Sequence, residues 1–89
     1  MKTRITEKTK NGKWTSGTVK LANGRTFRFH VKSFDEPSEF GIDGGRISKL
    51  LVATAARLTM VVNYDRGWDV KPATNDHKAV YAALLKRYN

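Results

Sequence analysis

The chain has 89 residues, no cysteine and a formal net charge of +9, with a calculated pI near 10.2. Its length fits one domain with a modest core, and the missing thiols exclude disulfides and thiolate metal sites. No apolar run approaches the ~18 residues a transmembrane helix needs. The basic start, MKTRITEKTKNGK, has no apolar centre and is not a secretory signal. A cytoplasmic, monomeric protein without cofactor or membrane attachment is therefore expected. Its charge favours acidic partners, nucleic acid or an acidic host protein.

Residues 1–12 are polar and basic, with Ile5 the one strongly apolar side chain between Met1 and Trp14. This pattern predicts a flexible basic N-terminal segment, with an edge strand as the alternative, ahead of a single domain over 13–89.

Residues 13–32 read as a β-hairpin. Val19 and Leu21 alternate on one strand, and Phe27, Phe29 and Val31 on the next. Two closures are available around Ala22-Asn23-Gly24. A two-residue Asn-Gly turn sets Val19 against Arg28 and mixes apolar with charged residues on both faces. A three-residue loop with Gly24 left-handed sets Val19 against Phe27 and Gly17 against Phe29. A one-residue slip flips every side chain, so burial selects the second register. The opposite face then carries Trp14, Ser16, Thr18, Lys20, Thr26, Arg28, His30 and Lys32. Cations beside an indole suit phosphate contacts and base stacking, which makes Trp14, Lys20, Arg28, His30 and Lys32 candidate nucleic-acid contacts.

The next stretch, FDEPSEFGIDGGRISKL (34–50), reverses the charge. Residues 1–32 carry +8, residues 33–45 carry −4 and residues 46–89 carry +5. The stretch reads as a turn-rich loop joining two hairpins, drawn back onto a basic body by charge. Asp35, Glu36, Glu39, Phe40 and Asp43 are its candidate partner-binding residues. Their spacing lacks the alternating ligands of a calcium loop, so no metal site is expected.

Residues 46–65 read as a second hairpin turning at 54–57. This places Ile47, Leu51, Leu58, Met60, Val62 and Tyr64 on one face and Leu50, Val52 and Val61 on the other. Leu50–Arg57 also fits a short helix. In the tight connection Asp65-Arg66-Gly67-Trp68-Asp69, Gly67 is expected to take a special backbone shape and Trp68 to anchor the turn. A helix over 76–88, capped by Thr74 or Asn75, presents Val80, Tyr81, Leu84, Leu85 and Tyr88 as its apolar stripe.

The runs WTSGTV (14–19), EPSEFGIDGGRISKL (36–50) and NYDRGWD (63–69) resemble a family of small uncharacterised bacterial and phage proteins. The resemblance spans most of the chain from Trp14 to the helix. It implies a phage or mobile-element setting and transfers no activity or catalytic residue.

The fold expected is α+β: a four-stranded antiparallel sheet of two hairpins, with the C-terminal helix packed on one face. No catalytic constellation is visible. His30, near Arg28 and Lys32, would need a carboxylate or second base to act as a nuclease. The leading expectation is a non-enzymatic module binding nucleic acid through the hairpin face. The rival is a phage or mobile-element accessory protein that binds a host protein through the acidic loop.

Overall fold

The computed structural model describes residues 2–89. Six strands, β1 (Thr3–Asn11), β2 (Trp14–Leu21), β3 (Thr26–Ser33), β4 (Ile47–Thr54), β5 (Met60–Asp65) and β6 (Trp68–Val70), pair antiparallel in chain order. One helix, α1 (Asn75–Tyr88), follows and covers one face of this meander. The fold is α+β, but the four-stranded expectation is corrected to six.

The two additional strands lie at the sheet's edges. Residues 3–11, read above as a flexible segment or an edge strand, form β1 and pair with β2 from Thr3↔Leu21 to Asn11↔Trp14. The turn between them is Gly12-Lys13, with Gly12 at φ +64°. Burial does not explain β1, because Ile5 is its one side chain packed against the core. A ladder of backbone hydrogen bonds and the contacts of Glu7 hold it instead. β6 pairs through Asn63↔Val70 and Tyr64↔Trp68. In that turn Arg66, not Gly67, takes positive φ (59°).

The central hairpin has the register that burial selects. Val19 pairs with Phe27 and Gly17 with Phe29. Leu21 and Arg25 close a three-residue loop in which Gly24 has φ +90°. The helix-covered face gathers Val19, Leu21, Phe27, Phe29, Val31, Leu50, Val52, Val62 and Tyr64 against Val80 and Leu84. The face assignment made for 46–65 is corrected. The β4–β5 loop comprises Ala55–Leu58, one residue later than expected, and a bulge lies between Val52 and Ala53. Leu50, Val52, Val62 and Tyr64 therefore share the covered face, while Leu51 and Met60 point out on the other. Val61 is the extra residue of the bulge and is buried beside Val62.

Both ends of α1 are fastened to the sheet. Thr74 caps the N-terminus, its Oγ1 accepting from the His77 amide at 3.1 Å. Asp76 receives Arg25 at 2.8 Å from the β2–β3 loop. His77 packs edge-on to Phe27, and burial followed by Arg25 lowers its pKa. At the far end Ser33 Oγ donates to the Tyr88 carbonyl at 2.8 Å, and Tyr88 Oη donates to Glu7 at 2.6 Å. Burial and then Glu7 raise the Tyr88 pKa; the same hydrogen bond, with Arg87 beside it, holds Glu7 below its usual range. The Asn89 amide donates to the Ile42 carbonyl and accepts from the Ile47 amide, clasping the 34–46 loop to the helix end.

Two outcomes follow for β1. A methyl group at Gly17 would collide with the Thr6 carbonyl, so Gly17→Ala should cost on the order of 1–3 kcal/mol. Hydrogen exchange should show the loss chiefly at β1 amides. Because the Glu7 pKa is depressed by folding, its contribution is complete above the ordinary value of 4.5 and is lost as pH falls through the folded value. Protection of β1 should weaken on acidification in that window, and Glu7→Gln should flatten the dependence.

Candidate functional site

The sheet has a second face that no helix covers. Antiparallel registers align its residues in rows across the strands. One row runs Arg4, Lys20 and Thr26; the next Thr6, Thr18, Arg28, Ala53 and Met60; then Thr9, Ser16, His30, Leu51 and Asn63; and last Asn11, Trp14, Lys32, Lys49 and Asp65. Trp14, Lys20, Arg28, His30 and Lys32, the candidates from sequence, all lie on this face. The structure adds Arg4 from β1 and Lys49 from β4.

Two of these rows set like charges opposite one another, Arg4 against Lys20 and Lys32 against Lys49. Such cross-strand pairs destabilise a sheet by a few tenths of a kcal/mol each. Lys49 finds relief in Asp65 at 3.6 Å. Lys32 lies 5.9 Å from the Trp14 ring centre and 5.3 Å from that of Phe34, within cation–π range of both. Among the described residues, Arg4, Lys20 and Arg28 have no carboxylate partner.

A groove of about 650 Å³ crosses this face. Lys8, Thr9, Ser16, Thr18, Arg28 and His30 form a cationic, hydroxyl-bearing side; Leu51, Ala53, Leu58 and Met60 form an apolar side. Trp14 meets His30 edge to face with ring centres 4.3 Å apart, which holds the imidazole beside the groove. His30 has no carboxylate or second imidazole within hydrogen-bonding reach among the described residues, which is the group a nuclease built on it would need.

Leu58 was not among the sequence candidates. It is 59 % exposed and holds φ at +56°, a conformation that costs a side chain with a Cβ roughly 1–2 kcal/mol. A four-residue hairpin loop requires that left-handed turn at its last position, and glycine or asparagine would meet the need without strain. The apolar side of the groove thus ends in a strained, exposed leucine.

The acidic loop divides into anchored and free parts. Ile42 is fully buried, and Tyr64 Oη donates to the Phe40 carbonyl at 2.9 Å. Asp35 pairs with Lys13 at 3.0 Å, whereas Glu36, Glu39 and Asp43 point to solvent. The Phe40 ring is 49 % exposed, with the Arg66 guanidinium 5.1 Å from its centre. No group of histidines and carboxylates able to hold a metal forms among the described residues. No helix there is long and apolar enough to cross a membrane.

A family model described as a domain of unknown function (DUF7678) matches residues 13–89. The chain belongs to that family. The matched part takes in every element from β2 to α1, including both sides of the groove except Lys8 and Thr9. No curated protein and no solved structure matches the chain.

Backbone strain at Leu58 is separable from its side chain. Leu58→Gly should be more stable than Leu58→Ala by about 1 kcal/mol in urea unfolding, the reverse of the usual order, because only glycine is relaxed at this φ.

Proposed function

We propose that this domain is a non-enzymatic binding module for single-stranded nucleic acid, with the open face of the sheet as its contact surface. The observation that carries the reading is the two-sided groove. A single strand is itself two-sided, with charged phosphates along one edge and π-faced bases along the other. Arg28, Lys8 and the hydroxyls of Thr9, Ser16 and Thr18 match the first; Leu51, Leu58 and Met60 match the second. Trp14 and His30 add aromatic surface at one end. A duplex hides its bases and offers phosphates alone, leaving the apolar side unused. The uncompensated Arg4–Lys20 pair also favours an anion on this face, since a phosphate between them removes their repulsion.

The rival reading, an accessory protein of phage or mobile-element type that grips a host protein through the 34–45 loop, draws on the exposed ring of Phe40. Of the loop's other large apolar residues, Ile42 is committed to the core and Phe34 is 38 % exposed beneath the Lys32 ammonium.

Fluorescence anisotropy with short labelled single-stranded and duplex oligonucleotides over a salt series tests the proposal. Single strands should bind more tightly than duplexes. Arg28→Ala should lower affinity and reduce the slope of log K against log salt by about 0.7, the value for one lost contact to a single-stranded phosphate. Lys78→Ala, on the helix and away from the groove, is the control. Equal losses in the two variants, or duplex preferred over single strand, would overturn the reading.

A further inference from the structure

The helix side of the molecule holds a second polar pocket. It measures about 320 Å³ and lies where the β1–β2 turn, the start of the 34–46 loop and the end of α1 converge. Four cations line it: Lys10 and Lys13 from the turn region, Arg46 from the loop's end and Arg87 from the helix. Thr15 is 5 % exposed and lines it too. No hydrogen bond among the described residues engages the Thr15 hydroxyl, while its neighbour Ser33 is spent on the Tyr88 carbonyl.

The charges around this pocket do not balance. Lys13 has Asp35, and Arg87 has Glu7 at 3.5 Å. Arg46 donates through Nε to a main-chain oxygen of Asn89 at 3.4 Å and pairs with no acidic side chain, and Lys10 has no ion-pair partner among the described residues. Asp35 is the one carboxylate in the lining. Its side chain is 90 % exposed, so packing does not fix it there and it is free to swing out. Lys13 first, then Arg46 and Lys10, hold its carboxyl below the usual range.

We infer that this pocket is a binding site for a phosphate monoester, and that Asp35 is an internal stand-in occupying part of it until the ligand arrives. A monoester carries more charge than one carboxylate and has three terminal oxygens. These suit the guanidinium forks of Arg46 and Arg87, the ammonium groups of Lys10 and Lys13, and the Thr15 hydroxyl. The volume leaves room for the first atoms of whatever bears the phosphate. The stand-in also sets a threshold, because a weak anion such as chloride does not displace Asp35 whereas a dianion does. The site lies on the opposite side of the sheet from the groove and does not depend on nucleic acid binding there.

The test is a titration of the labelled protein with inorganic phosphate at constant ionic strength, followed by amide shifts, with chloride alone as the reference. Saturable shifts should localise to Lys10, Lys13, Thr15, Asp35, Arg46 and Arg87. Arg46→Ala should weaken phosphate binding at least fivefold. Asp35→Asn, an exposed substitution that leaves the core untouched, should tighten it severalfold. Arg28→Ala on the open face should change nothing. Adenosine 5′-monophosphate and phosphoserine form two further arms that distinguish a nucleotide from a phosphorylated side chain as the source. Unchanged or weakened phosphate binding in Asp35→Asn, or shifts spread over all lysines and arginines, would overturn the inference. Loss of oligonucleotide binding with the phosphate response intact would sink the groove proposal alone.

Discussion

The molecule depends on the pairing of Val19 with Phe27. That register puts one set of alternating side chains under the helix and leaves the other set bare. Each later strand inherits its facing from its neighbour, so the row Phe29, Val52 and Val62 and the row His30, Leu51 and Asn63 follow from one loop closed at Gly24. A slip of one residue would bury Arg28 and His30 and expose Phe27 and Phe29, at a cost of several kcal/mol in buried apolar area and stranded charge. With a single helix to cover six strands, only one face can be enclosed. The other must remain in contact with solvent or a partner.

What the sequence made legible tracks the strength of the burial signal. Phe27, Phe29 and Val31 alternate without ambiguity, and the hairpin register and basic face were readable from them. The helix was readable to within a residue of its start, because Val80, Leu84 and Tyr88 repeat at its period. β1 carries almost no such signal. Its Thr and Lys residues mimic a disordered arm, and the cue that does mark it, Asn11-Gly12 between two runs of alternating polar residues, lies outside any apolar pattern. β6 is three residues long, too short to show a period. The faces of β4 and β5 were misassigned for a different reason. A bulge adds one residue, and alternation counted along the chain then changes phase without any mark in composition.

The acidic loop is best understood through what it is fastened to. Ile42 and the Asn89 clasp fix its middle and end, so its carboxylates cannot spread over the whole basic surface. Only Asp35 reaches a cation. The loop therefore leaves the charge of the open face untouched, and the masking conceivable from composition is confined to the pocket at the end of the helix. The candidates from sequence share one face of β2 and β3, and Arg28 and His30 among them line the groove, yet the groove also needs Leu51, Leu58 and Met60 from a hairpin whose first groove residue lies roughly 70 Å of extended chain beyond His30, at about 3.3 Å per residue. Pairing of β3 with β4 brings the two halves together, and no local pattern announces it.

The meander order also governs how the chain acquires its structure as it is made. Every strand pairs with the one just before it, so the sheet can grow in the order of synthesis with short loops to close at each step. Its enclosure cannot keep pace. Val80 and Leu84 arrive last, and until they do, Phe27, Phe29, Val31, Leu50 and Val52 line a sheet with no cover on its apolar side. A ribosome carrying this domain thus displays a growing, sticky surface while the strands are made, and relief comes when the fourteen-residue helix emerges. The lysines and arginines of the opposite face repel other nascent copies during that interval, a use of the net charge that operates before any ligand is met.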